Sequence, residues 1–150
     1  MITKKNEVFS ELTKSISKAQ IKFKVFLRSK FKEHEIDITF EMLQILMKLW
    51  AEDRINQQEL ANYTFKDKAS LTYLIDNLSK RDLVERQEDT NDRRNKLIVL
   101  RPEGRKLKNI IMPWIDEMYT AAGIGISTEM LRNGIDLFTK IHSNLSKEGE

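Results

Sequence analysis

The chain has 150 residues, 33% of them charged and 40% hydrophobic, with a formal charge of +3; that length supports one well-buried core rather than two. Cysteine is absent and the only histidines are His34 and His142, which excludes disulfides, thiolate metal sites, cysteine nucleophiles and thiol redox sensing and leaves no metal site or cofactor to expect. No apolar run approaches the roughly eighteen residues of a membrane helix, and the opening MITKKNEVFSELTK turns polar too soon for a signal peptide, so a cytoplasmic protein with no membrane partner is expected.

From Val8 to Phe31 there is no proline or glycine, and Val8, Leu12, Ile16, Ala19, Phe23, Phe26, Leu27 and Phe31 recur at helical spacing, which predicts a helix of about 24 residues. Ile21 and Val25 lie off that stripe, so this helix is expected to bury a second face and to lean on another subunit. Phe40 to Trp50 reads as the next helix, capped by Thr39 and packed through Met42, Leu43, Leu46, Met47 and Trp50. Asp53 to Gln57 reads as a polar connector, and Gln58 to Tyr63 as a short helix with Leu60 and Ala61 inward. Lys68 to Arg81 follows, with Leu71, Leu74, Ile75 and Leu78 at i, i+3, i+4 and i+7. Its other side carries Ala69, Thr72, Tyr73, Asp76 and Asn77, with Ser70 on the flank. That face is small, polar and aromatic, where a merely solvated helix would show lysine and glutamate.

Leu83–Glu88 and Lys96–Leu100 are strand candidates joined by a turn-forming loop over 89–95 that carries Arg93 and Arg94. Pro102 suits the first turn of a helix bearing Leu107, Ile110, Ile111, Trp114, Ile115 and Met118, which Pro113 should bend. Gly123 and Gly125 divide it from a last helix starting at Ser127 and carrying Met130, Leu131, Ile135, Phe138, Ile141 and Leu145. A central module of about 65 residues could not cover both apolar flanks, which argues for a dimer joined by the terminal helices.

The order helix, short helix, helix, hairpin is that of a winged helix-turn-helix. Small polar side chains on helix Lys68–Arg81 could approach base edges or phosphates in a major groove, and the Arg93–Arg94 tip could reach the adjacent minor groove. Bulk charge alone would not suggest this. Residues 1–38 hold nine Lys/Arg against five Asp/Glu, 39–104 eleven against twelve, and 105–150 six against six. A DNA-facing surface therefore has to arise from local sorting of charges, or from the N-terminal helix.

Several stretches resemble the MarR family of bacterial winged-helix transcription regulators. They are Gln58-Glu59-Leu60-Ala61, Lys68-x-Ser70-x-Thr72-x-x-Ile75-Asp76-x-Leu78 and Lys80-Arg81-Asp82-Leu83-Val84-Glu85-Arg86, followed by Asp89, Asp92-Arg93-Arg94, Lys96, Val99-Leu100 and Glu103-Gly104. The dense match covers residues 57–104. The resemblance implies a mainly α fold, a winged helix-turn-helix with a small β-hairpin wing and long N- and C-terminal dimerisation helices. It divides a single domain, 1–150, into dimerisation helices at 1–36 and 105–150 and a winged module at 37–104. It further implies a homodimer reading an inverted repeat in double-stranded DNA, usually as a repressor. Ser70, Thr72, Tyr73 and Asn77, with Lys68 at the helix start, would face the major groove, and Arg94, beside Arg93, would enter the minor groove. Many members release DNA when a small, often aromatic or phenolic, effector binds between the dimerisation helices and the winged module. The family's usual threonine before the next helix is Arg101 here, followed by Pro102.

Other roles follow from charge. Asp76 would repel phosphate unless paired, so it is expected to hold Arg81 or Arg86, and these with Lys96 form the supporting set for the wing or for phosphate. One of Arg93 and Arg94 is expected to pair with Asp89 or Asp92. Phe23, Phe26, Trp50, Tyr63, Phe65 and Trp114 read as core or dimer interface, from which a ligand pocket could borrow, with His34 or Arg28. No Ser–His–carboxylate grouping, metal-ligand spacing or phosphate loop appears, so no catalytic residue and no enzyme are expected. The competing reading is a winged-helix protein-interaction module without DNA binding, kept open by the near-neutral charge of 39–104.

Overall fold

The computed structural model describes residues 3–146; positions 1–2 and 147–150, at the outer ends of the expected dimerisation segments, lie outside the described residues. Helix α1 spans Lys4–Glu33, 30 residues, or about 45 Å at 1.5 Å per residue. It is longer than the apolar stripe predicts because Thr3 caps it ahead of Val8, its hydroxyl accepting from the Asn6 amide at 3.2 Å. Helix α2 spans Phe40–Ala51, and Thr39 caps it by accepting from the Met42 amide at 3.2 Å.

The expected connector at 53–57 is in part a strand, β1 at Ile55–Asn56, running straight into helix α3 at Gln57–Thr64. Ile55 is the reason. It is buried in the core and pairs with Ile98, and one apolar residue among polar ones gives no period to detect in advance. Helix α4 spans Lys68–Lys80; β2 is Val84–Glu88 and β3 is Lys96–Leu100. The sheet therefore has three antiparallel strands in the order β1-β3-β2, not the two of a bare hairpin. Leu83, expected in the first wing strand, precedes it. It is buried, and its carbonyl accepts from the Arg101 amide at 3.0 Å.

One apolar cluster joins these elements: Ile45, Leu46 and Leu49 of α2, Leu60 of α3, Leu71, Ile75 and Leu78 of α4, and Ile55, Val84, Ile98 and Leu100 of the sheet. At roughly 1.5–3 kcal/mol per fully buried large aliphatic side chain, this cluster fixes α4 against the wing. Leu27 and Phe31 bury the C-terminal part of α1, where Trp114 lies 6.3 Å from the Phe31 ring and 4.7 Å from His34.

Helix α5, Pro102–Ala122, begins at Pro102 as expected and continues through Pro113. One compact unit ends inside it at Ile115 and takes in α1 with the winged module, so the N-terminal helix groups with 37–104; a second unit begins at Asp116. That second unit holds helix α6, Thr128–Ser146, in which Ser127 accepts from the Met130 amide at 3.1 Å. Its apolar residues Met130, Leu131, Ile135, Phe138 and Leu145 are all exposed.

Candidate nucleic-acid interface

Helix α4 turns its leucine and isoleucine face inward, as Leu71, Leu74, Ile75 and Leu78 are buried. Asp67 caps its N-terminus, accepting from the Ser70 amide at 2.7 Å and the Ser70 hydroxyl at 3.1 Å. These bonds from Ser70 hold the Asp67 carboxyl below its ordinary value, so the cap is charged at neutral pH. Lys68, Ser70 and Tyr73 lie exposed beyond it, Tyr73 by 68%.

The other two expected contact residues are more occupied than the sequence suggests. Thr72 is half-buried, its hydroxyl accepting from the Gln57 amide group at 3.0 Å. The Asn77 side chain donates to the Tyr73 carbonyl at 2.8 Å and accepts from Arg81 at 3.3 Å. Both belong to networks that set α4 in place, which leaves Lys68 and Tyr73 with the freer side chains on this face.

Arg86 is the hub between α3, α4 and the wing. Its Nη1 lies 2.7 Å from an Asp76 oxygen, its Nε donates to Gln57 at 3.2 Å, and its Nη2 donates to the Thr72 carbonyl at 3.4 Å. Of the two partners expected for Asp76, Arg86 is thus the one it takes. Arg81, expected beside Asp76 in the supporting set, is turned to the opposite end of α4. It donates to the Asp37 carbonyl at 2.7 Å and sits 3.1 Å from the Asp37 carboxylate, so it ties the helix to the α1–α2 connection and does not reach the wing. The reason is position: Arg81 is the C-cap residue of α4, one turn and more beyond the part that faces β2.

The wing loop is built from two aspartate turns. The Asp89 carboxylate accepts from the Asn91 amide at 2.9 Å, and that of Asp92 from the Arg94 amide at 3.0 Å. Asp89 and Asn95 close the loop at 3.3 Å, and Lys96 pairs across the strands with Glu88 at 3.5 Å. Of the two arginines, Arg94 is the one near an aspartate. Its Nε stands 3.9 Å from Asp92, at the limit of an ion pair, and its side chain is 95% exposed; Arg93 is exposed as well.

Between wing and helices lies a cleft of about 360 Å³ lined by Gln57, Gln58, Lys68, Arg94, Asn95 and Lys96, among others. It brings Lys68, Arg94 and Lys96 to one place. Gln57 and Asn56 are the functional positions missed in the sequence. Asn56 caps α3 through the Gln58 amide at 2.7 Å, and an asparagine directly ahead of Gln-Gln-Glu was the signal available.

Comparison with known proteins points to one family. The MarR family profile matches residues 38–96, which contain the three module helices, β2 and the wing loop and end at the first residue of β3. Over that stretch the chain is similar to the MarR family. It is 32% identical over 75 residues to the HTH-type transcriptional regulator SarZ of Staphylococcus aureus strain USA300, covering 50% of this chain and 51% of that protein. It is 29% identical over 83 residues to SarZ of Staphylococcus haemolyticus, covering 55% and 56%. The chain thus spans about half the length of these curated relatives. A solved structure of S. aureus MepR in a DNA-binding conformation superposes with a TM-score of 0.77 at 28% identity, over 91% of this chain and 98% of that one. The matched relatives are named as transcriptional regulators, and the likeness in fold to MepR extends over more of the chain than the stretch matched to them in sequence.

Proposed function

We propose that the chain is a sequence-specific double-stranded DNA-binding transcriptional regulator, a cytoplasmic homodimer that occupies an inverted-repeat operator and represses from it. The observation that carries this reading is the pairing of an outward α4 face with a wing tip whose Arg94 is 95% exposed, across a cleft also lined by Lys68 and Lys96. In this reading Lys68, Ser70 and Tyr73 meet the major groove, and Arg93 and Arg94 reach the minor groove or its phosphates. Asp76, Arg86 and Lys96 support the wing. MepR, the structural neighbour named above, has also been solved as a complex with DNA, which supports a DNA-binding role.

The exposed apolar residues of α6 in one unit, and separately Val8 and Phe9 of α1 in the other, are each apolar surface that a second copy would cover. Two modules would then present their recognition helices about 34 Å apart, one helical turn of DNA. Among the described residues no helix is long and apolar enough to cross a membrane.

A second cleft, about 250 Å³, lies between α1 and α2 and is lined by Lys24, Arg28, Phe31, Phe40 and Glu41, among others. Its volume lies below the usual 300–1,000 Å³ of ligand sites and suits one small ring; Lys24 already stands 3.9 Å from Glu41, so Arg28 is the cation there for an acidic or phenolic group. A small aromatic effector held there would favour one dimer geometry and shift the population away from DNA. His34, another candidate for such a pocket, packs against Trp114 at a ring tilt of 32°.

Selection of bound duplexes from a random pool with the purified full chain tests the reading. Enrichment of an inverted repeat is the expected result. Absence of any enriched sequence at low salt overturns it and favours a protein-interaction module.

A further inference from the structure

The face of the wing turned away from the core carries a continuous polar strap. Arg101, the residue directly after β3, holds its Nε 2.7 Å from Asp82 and its Nη1 2.9 Å from Glu85. The first approach is ionic without hydrogen-bond geometry, since the Nε–H has no acceptor in line; the second is a hydrogen bond. Glu85 also accepts from the Gln87 amide at 2.8 Å, and Gln87 accepts from Arg54 at 2.9 Å. The strap thus runs Asp82, Arg101, Glu85, Gln87, Arg54.

Its course explains three otherwise separate facts. Glu85 and Gln87 alternate with Val84 and Arg86 along β2, so they stand on the outer face. Arg54 precedes β1, and because β3 lies between β1 and β2, the Arg54–Gln87 bond links the two outer strands over the central one. Val99 pairs with Glu85 on that outer face, yet it is buried, as a valine beneath such a strap would be. Both ends of the strap also have left-handed backbone, Asp82 at φ 60° and Arg54 at φ 60°. A conformation unfavourable for non-glycine residues persists where the surroundings over-determine it. Asp53 adds to this at the Arg54 end, its carboxylate accepting from the Arg54 and Leu100 amides at 2.8 Å each and from Arg105 at 3.2 Å.

We propose that this strap fixes the pitch of the wing, making Arg101, Gln87 and Arg54 positioning residues that decide whether the Arg94 tip is presented to DNA. The proposal rests on the DNA-binding reading for its consequence but not for its structural content. Arg101 is long enough to bridge Asp82 and Glu85 at once, and it is the one side chain of the strap that touches both.

The chain has no cysteine, so a single fluorophore can be placed on the wing loop through Thr90→Cys in the full-length protein. Time-resolved anisotropy then reads wing mobility without DNA. Arg101→Met and Gln87→Ala are expected to increase the fast wobble of the label, while Lys106→Ala, outside the strap, leaves it unchanged. Binding to the selected duplex is expected to weaken about fivefold to tenfold in both variants. In an Arg94→Ala background the same substitutions are expected to cost nothing further, because they act through the tip. Gln87→Ala changes no charge and serves if Arg101→Met fails to fold. Unchanged wobble in folded Gln87→Ala overturns the strap, as does an affinity loss that persists in full without Arg94. If the wild type binds no duplex, the DNA reading fails while the wobble still decides the strap.

Discussion

Replacing Arg94 by alanine separates the binding role of the wing from its architecture. The side chain is 95% exposed and its one ionic neighbour, Asp92, stands 3.9 Å away, so its removal should leave stability within about 0.5 kcal/mol of wild type. The Asp92 turn survives, because it is the Arg94 backbone amide that donates to Asp92. On DNA the expected effect is much larger. A groove or phosphate contact by arginine is worth roughly 1–1.5 kcal/mol, and two wings per dimer give about 2–3 kcal/mol, or on the order of 30- to 150-fold in affinity. If each tip neutralises one phosphate, the slope of log K against log salt should fall by about 0.9 per wing, near 1.8 per dimer. Fluorescence anisotropy with the selected duplex at four or five salt concentrations measures both quantities, and urea denaturation checks the fold. Affinity within twofold of wild type, with an unchanged slope, would refute minor-groove engagement by Arg94.

Arg86→Met should do the reverse, lowering fold stability by about 1–3 kcal/mol because Asp76 and the Thr72 carbonyl lose their donor; an unshifted urea midpoint would count against the hub. Gly104→Ala should cost a comparable ~1–3 kcal/mol, since a Cβ there would press on the Leu83 carbonyl and lie 3.2 Å from Leu100 Cδ2; a thermal midpoint equal to wild type would contradict the packing. The pH dependence has a definite sign. Asp67, through its Ser70 bonds, and Glu85, through Gln87 and then Arg101, both have lowered folded-state values. Each therefore contributes stability that is present above its unfolded value and lost as pH falls through the folded one. Denaturation midpoints should be flat near neutrality and drop below about pH 4, with a shallower drop in Glu85→Gln; an identical acid limb in that variant would remove Glu85 from the account.

The long helices and the wing were legible because their signals repeat. The Leu71, Leu74, Ile75 and Leu78 stripe is buried as its spacing predicts, and Thr39 caps α2 as its residue type predicts. β1 was not legible, since two residues cannot show a period and only the partner strand makes Ile55 a strand residue. In the candidate site, Asp76 was readable as a pairing residue because an acid on that face needs a cation. The choice of Arg86 over Arg81 was not, because it depends on where β2 passes α4. Thr72 and Asn77 show the same limit. Helical periodicity places a side chain on a face, but hydrogen bonds across 15 residues from Gln57 to Thr72 decide whether it is free there.

The near-neutral charge of residues 39–104 was the reason to doubt a DNA-facing surface, and the geometry changes what that number means. The acids of the module are largely engaged within it or by Arg105 just beyond it. Asp53 takes Arg105 and two backbone amides, Asp76 takes Arg86, and Asp82 and Glu85 share Arg101, while Glu88 takes Lys96. Asp67, Asp89 and Asp92 are turned onto backbone amides as caps. Most of the arginines among these partners lie in the strands and helices that hold the wing, whereas Lys68, Arg93 and Arg94 stand exposed at the start of α4 and the tip of the wing. A sum over residues counts a carboxylate neutralised by a guanidinium 2.7 Å away the same as one facing solvent, but the field at a groove is dominated by exposed charges within about a Debye length, roughly 8 Å at physiological salt. The same acids that cancel much of the net charge are therefore the ones that build the wing, and at its tip Arg93, Arg94 and Lys96 stand against Asp89 and Asp92, a local excess of one cation for a duplex to meet.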